Sequence, residues 1–280
     1  MNPALPTATL MVRELEVGGE REALPARLYA AGARGIKQDS LTVFFHGGGF
    51  VGGDLDDCDS FLRSLVQCNP HFLALAANYT LANVRPFPAA VEDAYAALVW
   101  AKKNKVKLGW TGKQLVVGGI EAGANLAAVC ALMARDRGGP ALAGQILIMP
   151  MLDPGLTSCS MRQMPTDRDM VEVADACAAA YRGYLPNAAD RTHPYASPLQ
   201  SSRLKHLPPA LILSAEDDPL RDEAEQYGSK LIACGIKTTV RRMAPAPLQE
   251  AGARDECACR EQAIAEVAAF IAALEQTPPV

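Results

Sequence analysis

An apolar run that stops at two glycines and turns directly into a helix constrains the fold of this chain more than any other stretch. Residues 115–127 read Leu-Val-Val-Gly-Gly-Ile-Glu-Ala-Gly-Ala-Asn-Leu-Ala, and an alanine-rich helical pattern continues to about Arg135. Gly119 and Gly123 lie two positions on either side of Glu121. A sharp turn from strand to helix brings the two backbones so close that only glycine fits at such positions. The spacing therefore predicts a buried strand, a strained central residue and a helix packed on the strand.

This spacing is that of a nucleophile elbow, Gly-x-Ser-x-Gly, in which a serine occupies the strained central position. Here the motif reads Gly-Ile-Glu-Ala-Gly, so Glu121 stands where the nucleophile is expected. The turn that presents a catalytic serine is present, and the serine is not.

Strand and helix patterns alternate along the 280 residues. Besides the strand before the elbow and the helix after it, strands are predicted at 11–17, 25–31, 41–45, 72–77, 145–149, 210–214 and 238–242, and helices at 57–68, 89–103, 169–184, 220–234 and 254–274. This order predicts an α/β fold, with a central, mostly parallel eight-stranded sheet that is covered by helices on both faces. The strand signal disappears at about 157–190, where we predict a helical cap inserted into a single domain that spans 1–280.

Composition and charge narrow the range of partners. Hydrophobic residues make up 49% of the chain and charged residues 21%, which is ordinary for a globular protein. The net charge of −4 gives no reason to expect nucleic acid or an anionic membrane as a partner. There is no apolar run of membrane-spanning length and no secretory signal pattern, so we expect a cytoplasmic protein with free thiols. Nothing in the composition argues against a homodimer.

Two weaker patterns are set aside. The segment Gly47-x-Gly49-x-x-Gly52 follows a strand and formally matches a dinucleotide-binding fingerprint. That match fails because the strand is not the first one, and no suitably spaced acidic residue follows a second strand. Cys257 and Cys259 point apart on the predicted last helix, so they are poor candidates for a metal site. We therefore predict neither a cofactor nor a bound metal.

Several motifs together make the chain resemble the hormone-sensitive-lipase-like branch of the α/β-hydrolases, bacterial carboxylesterases with an HGGG motif. Residues 46–50 read His-Gly-Gly-Gly-Phe and look like the oxyanion-hole motif of that family. Other similar segments are found at 78–82, 86–93, 195–199 and 216–223. The resemblance extends over residues 11–275, and it implies an α/β-hydrolase fold.

The resemblance also implies roles for single residues. In the family a serine attacks an acyl carbonyl, a histidine takes the serine proton, and an aspartate orients the histidine. Asp218 corresponds to the aspartate because it directly precedes Pro-Leu, and Asp217 is the alternative. Gly47, Gly48 and Ala122 correspond to the residues whose N–H groups stabilise the oxyanion.

Two departures bear on activity. Glu121 stands at the serine position, and residues 243–250, where the family's histidine follows the last strand, read Met-Ala-Pro-Ala-Pro-Leu-Gln-Glu. The four histidines of the chain lie elsewhere, at 46, 71, 193 and 206. Losing both nucleophile and base costs about 10⁶-fold in the serine hydrolase subtilisin. The departures therefore predict that ordinary Ser-His-Asp ester hydrolysis is lost.

Three interpretations of Glu121 remain open at this point. Its carboxylate could be drift at an abandoned site; it could fold back onto the oxyanion-hole donors or meet a cationic ligand; or it could act as a general base or nucleophile. Our main prediction is a degenerate carboxylesterase-like protein that binds a small apolar or acyl-type ligand. The alternatives are an active hydrolase or lyase that uses Glu121 and the retained oxyanion hole on small esters, and a structural protein that uses the fold as an interaction surface.

Overall fold

A single sheet organises the computed structural model, which describes residues 9–32, 38–69, 71–162, 168–245 and 253–275. Within these residues the sheet has eight strands in the order β1-β2-β4-β3-β5-β6-β7-β8. They are β1 (Leu10–Gly18), β2 (Ala23–Ala31), β3 (Gln38–Phe45), β4 (Phe72–Ala77), β5 (Trp110–Ile120), β6 (Gly144–Ile148), β7 (Ala210–Ala215) and β8 (Thr238–Met243). The β1–β2 and β2–β4 pairs are antiparallel, and the pairs from β4 through β3 to β8 are parallel. The predicted α/β-hydrolase fold with a mostly parallel eight-stranded sheet is confirmed.

The helices lie on both faces of this sheet. They are α1 (Asp59–Cys68), α2 (Ala89–Lys103), α3 (Lys105–Leu108), α4 (Ala122–Asp136), α5 (Cys159–Arg162), α6 (Arg168–Tyr184), α7 (Arg221–Ala233), α8 (Ala253–Ala258) and α9 (Glu261–Glu275), with short 3-10 helices at Ala188–Thr192 and Pro198–Gln200. Side chains of β3 alternate between the two faces. Val43 and Phe45 belong to one buried cluster, and Phe44 belongs to the other. A buried core on each face is what a parallel sheet covered by helices requires.

The last helix differs from the prediction. The apolar pattern of 254–274 predicted one continuous helix, and the structure has two, which separate at Cys259 and Arg260. The short α8 contacts α1 and β5, whereas α9 contacts α1, β6 and β7. Both helices pack on α1, but their strand partners differ. The contact of α8 with β5 places the start of α8 close to the elbow.

The segment 157–190, which was interpreted as a cap, contains α5, α6 and most of one 3-10 helix. The end of α6 packs on the glycine-rich loop after β3. The ring of Tyr184 stacks on Phe50 with centroids 3.8 Å apart, and a Cβ built on Gly49 would lie 2.8 Å from that of Ala180. The helical content agrees with the prediction, and its function as a cap remains a prediction.

Two further observations concern the described residues. None of their helices is long and apolar enough to span a membrane. All eight cysteines lie among them, and each is a free thiol.

Candidate active site

The elbow has the strained geometry that its spacing predicts. Glu121 lies between β5 and α4 with φ 54° and ψ −111°. A β-carbon on Gly119 would overlap the backbone of Gly123, and one on Gly123 would overlap the carbonyl groups of Phe45 and His46. The two glycines are therefore required by the close approach of β5, α4 and the end of β3.

Backbone hydrogen bonds hold Glu121 in this conformation. Its N–H donates to the carbonyl of Ile148 at 2.9 Å, and its carbonyl accepts from the N–H groups of Met151 at 3.1 Å and Asn125 at 3.2 Å. A positive φ in a residue other than glycine persists only where surrounding contacts enforce it. The loop after β6 and the start of α4 supply that enforcement here.

The carboxylate of Glu121 lies in the predicted oxyanion hole. Its Oε2 atom accepts hydrogen bonds from the N–H of Gly48 at 2.7 Å and the N–H of Gly49 at 3.2 Å. Gly48 was predicted as a donor, and Gly49 was not. Gly47 lies beside the same oxygen, since a Cβ on it would be 3.0 Å from Oε2. Ala122 is the buried first residue of α4, and the donor roles of Gly47 and Ala122 remain predictions.

Two stacked rings, those of His46 and Tyr79, order the glycine-rich loop through hydrogen bonds to its carbonyl groups. The His46 and Tyr79 rings lie 4.4 Å apart and nearly parallel. Nδ1 of His46 is 2.7 Å from the carbonyl of Gly47; because a carbonyl only accepts, this nitrogen carries the proton and donates. The Tyr79 hydroxyl donates to the carbonyls of His46 and Gly47, at 3.2 Å each. Burial lowers the pKa of His46, which favours a neutral ring that orients the loop.

An arginine that the sequence analysis missed joins the two acidic site residues. Arg254, in the first turn of α8, donates from Nε to Oδ2 of Asp218 at 3.1 Å and from Nη2 to Oδ1 at 3.0 Å. Its Nη1 donates to Oε1 of Glu121 at 3.2 Å. The structure therefore brings together Glu121 and Asp218, with Asp218 rather than Asp217 facing the arginine. Arg254 stands between the acid and the elbow residue, where the resemblance would place a histidine.

The guanidinium of Arg254 carries a fixed positive charge. Burial alone lowers the pKa of Arg254, but the carboxylates of Asp218 and Glu121 outweigh that effect and raise it well above the ordinary value. Arginine has no acceptor and keeps its proton at neutral pH, so it cannot act as a base. Arg254 therefore orients both carboxylates, and Glu121 is the group of the three that accepts from the N–H groups of Gly48 and Gly49.

The buried side chains of Glu223 and Asn125 bind the loop after β6, which holds the elbow. Oε1 of Glu223 accepts from the N–H of Leu152 at 2.6 Å, and burial raises the pKa of Glu223 well above its ordinary value. Nδ2 of Asn125 donates to the carbonyl of Met151 at 2.7 Å. Glu223 and Asn125, neither of which was predicted, fix the loop after β6 that in turn holds Glu121.

Asp255, next to Arg254, leads to a prediction about pH and stability. Its Oδ1 is buried and has no hydrogen-bond partner among the described residues. Burial, and then the negative charges of Asp57 and Glu121, raise its pKa from the ordinary 3.8 to about 7. A carboxyl whose pKa is raised by folding lowers stability as pH increases from the unfolded pKa through the folded one. Asp255→Asn should therefore stabilise the chain at pH 8 by about 2–4 kcal/mol more than at pH 4.

Urea unfolding of wild type and Asp255→Asn at the two pH values measures this difference. Asp175→Asn, at an exposed position of α6, is the matched control and should show no such change. An equal effect of Asp255→Asn at pH 4 and pH 8 would contradict the prediction.

Several known proteins similar to this chain are esterases by name. A carboxylic ester hydrolase, LipN, of Mycobacterium tuberculosis is 38% identical over 241 residues, which cover 82% of this chain and 61% of LipN. The chain thus spans less than two thirds of the length of LipN. An esterase of the same organism, LipI, is 33% identical over 82% of this chain and 72% of its own length.

Solved structures agree with these relatives. The esterase of Pyrobaculum calidifontis superposes with a TM-score of 0.84 at 33% identity, and the match covers 95% of this chain and 87% of the esterase.

These comparisons contradict one expectation from the sequence. We predicted a degenerate protein that binds a small apolar or acyl-type ligand and has lost ester hydrolysis. LipN and LipI, each matched over 82% of this chain, and the Pyrobaculum calidifontis structure carry the names of ester hydrolases, and they favour the alternative, an active hydrolase.

The family pattern described as "alpha/beta hydrolase fold" matches residues 42–247, a range that begins within β3 and extends past the end of β8. This range includes the glycine-rich loop, the elbow and Asp218. The chain belongs to this α/β-hydrolase family, in the hormone-sensitive-lipase-like branch that contains carboxylesterases.

Proposed function

We propose that this chain hydrolyses small carboxylic esters, with Glu121 as the general base. The observation that carries the proposal is the position of the Glu121 carboxylate, which lies on the strained elbow 2.7 Å from the N–H of Gly48. The similar esterases support the reaction class. Neither a serine at the elbow nor a histidine in residues 243–250 is available, so the reaction needs a route without them.

The route begins with an exchange in the oxyanion hole. The ester carbonyl oxygen accepts hydrogen bonds from the N–H groups of Gly48 and Gly49 in place of Oε2 of Glu121, which moves away from them. The contact of Oε1 with Arg254 keeps the carboxylate beside the reacting carbon. Preorganised N–H donors stabilise negative charge on the carbonyl oxygen as it develops.

The chemical step is an attack by water. The water oxygen bonds to the carbonyl carbon while Glu121 accepts a proton from that water. The tetrahedral oxyanion then collapses, the bond to the alkoxy oxygen breaks, and protonated Glu121 returns the proton to the leaving alkoxide. One ester and one water give one acid and one alcohol, and Glu121 ends as a carboxylate. Direct attack by Glu121 is less suitable because the alkoxide would leave without a proton donor, since Arg254 keeps its proton.

Glu121→Gln is the test of this route. The amide retains the size of the side chain and cannot accept the water proton, so kcat/KM for p-nitrophenyl acetate and butyrate should fall by about 10²–10⁴-fold. Glu16→Gln, at an exposed position of β1, is the matched control and should keep wild-type turnover.

A serine-directed fluorophosphonate separates this activity from that of a contaminating serine esterase. Turnover by the purified chain should persist in its presence. Absence of wild-type turnover, or equal turnover by wild type and Glu121→Gln, would refute the proposal.

A further inference from the structure

The groups around Glu121 form a binding site for a carboxylate group, whichever molecule carries it. Two backbone N–H groups, those of Gly48 and Gly49, bind one carboxylate oxygen at 2.7 and 3.2 Å. Nη1 of Arg254 binds the other oxygen at 3.2 Å. Charge-assisted hydrogen bonds of this kind are about twice as strong as neutral ones. We call these three donor residues the carboxylate cradle.

The cradle is held in place without help from Glu121. Asp218 fixes the guanidinium of Arg254 through two hydrogen bonds, at 3.0 and 3.1 Å. The N–H of Gly52 donates to the carbonyl of Gly48 at 3.0 Å and closes the loop that presents the other donors. Withdrawal of the Glu121 side chain therefore leaves a preorganised set of donors, which lowers the entropic cost of binding another carboxylate.

We propose that the cradle binds short-chain monocarboxylic acids, and that Glu121 is the internal carboxylate that fills it when no such acid is present. The inference rests on the proposed function in one respect, that the bound acid is the carboxylic acid released by ester hydrolysis. Return of the Glu121 side chain to the cradle then displaces that acid. Binding itself requires no turnover, so it can be tested separately.

The geometry sets the length of the acid that fits after Glu121 is truncated. A free acid must stay about 3.5 Å, the ordinary contact distance, from the last carbon that residue 121 keeps after truncation. The glutamate side chain was instead bonded to that carbon, so its carboxylate reached the cradle from a shorter distance. The acid must therefore be about one carbon shorter than the atoms removed. Glu121→Gly should prefer acetate to propionate, and Glu121→Ala should prefer formate to acetate. Glycine also suits the φ of 54° at this position.

Calorimetric titration and thermal unfolding at pH 7 and constant ionic strength test the proposal. Acetate should bind Glu121→Gly with a Kd on the order of 1–10 mM, at least tenfold tighter than it binds wild type. It should raise the unfolding temperature of that variant by mass action. Glu121→Gln, whose side chain still fills the cradle, should bind acetate no better than wild type does, and neutral acetamide should bind none of the variants. Adding Arg254→Met to Glu121→Gly should weaken acetate binding at least tenfold.

Each result has a definite meaning. Cooperative unfolding of Glu121→Gly or Glu121→Ala shows that the variant is folded, and either variant can carry the test. If the folded variants bind acetate and formate no more tightly than wild type does, the carboxylate site is refuted. Acetate binding to Glu121→Gly with no wild-type ester turnover would refute the proposed function alone. Turnover with no acid binding would refute this inference alone.

Discussion

Arg254→Met should destabilise the chain by roughly 3–5 kcal/mol at neutral pH, the cost of removing one partner from a buried ion pair. The side chain of Asp218 is 0% exposed, and those of Arg254 and Glu121 are 15% exposed. Methionine preserves the apolar stem and removes the only guanidinium that contacts both carboxylates among the described residues. Asp218 would then keep the N–H of Leu220, at 2.9 Å, as a donor, and its charge would face that of Glu121 without a cation.

Arg241→Met is the matched control for this prediction. Arg241 pairs with Glu266 on the surface, where the two side chains are 53% and 29% exposed. An exposed pair contributes about 0–1 kcal/mol, so this variant should lose little stability in urea unfolding. Equal losses for Arg254→Met and Arg241→Met would contradict the buried role of Arg254. Asp218→Asn in the Arg254→Met background should restore part of the loss, because it removes the unpaired buried charge.

The sequence was most informative where local pattern and packing agree. The helix predicted at 89–103 is found at Ala89–Lys103, and the strand predicted at 72–77 is found at Phe72–Ala77. The apolar period and the glycine spacing of the elbow are local signals that the tertiary structure reinforces. The break between α8 and α9 has no such signal, because the apolar pattern continues through it. That break coincides with a change of strand partners, from β5 for α8 to β6 and β7 for α9.

The part of the site that was missed depends on contacts between distant residues. Arg254 lies 133 positions from Glu121, and no spacing in the sequence joins them. One chemical signal was available. A glutamate at the elbow and an aspartate after β7 place two carboxylates at one site, and buried carboxylates require a cation. The absence of a histidine could thus have prompted a search for an arginine or lysine at the start of the last helix.

Gly123→Ala should destabilise the chain by more than about 4 kcal/mol, or prevent it from accumulating as folded protein. A Cβ at this position would overlap the carbonyl oxygens of both Phe45 and His46. These are backbone atoms at the end of β3, and they cannot move aside as a flexible side chain can. Relief of the overlap would require α4 to move away from the sheet, with loss of packing for a helix in which every residue from Ala122 to Ala134 is buried.

Gly138→Ala separates this overlap from the general cost of replacing glycine. Gly138 has φ 60° and open space around it, since no atom of the described residues, apart from Gly138 and its two chain neighbours, would lie within 4 Å of an alanine methyl group there. Alanine at this position should cost only about 1–2 kcal/mol, the penalty for a left-handed backbone conformation. Urea unfolding of both variants measures the difference. A Gly123→Ala variant as stable as Gly138→Ala would show that α4 can move from β3 at low cost, and the elbow could not then hold Glu121 in its strained conformation against the oxyanion hole.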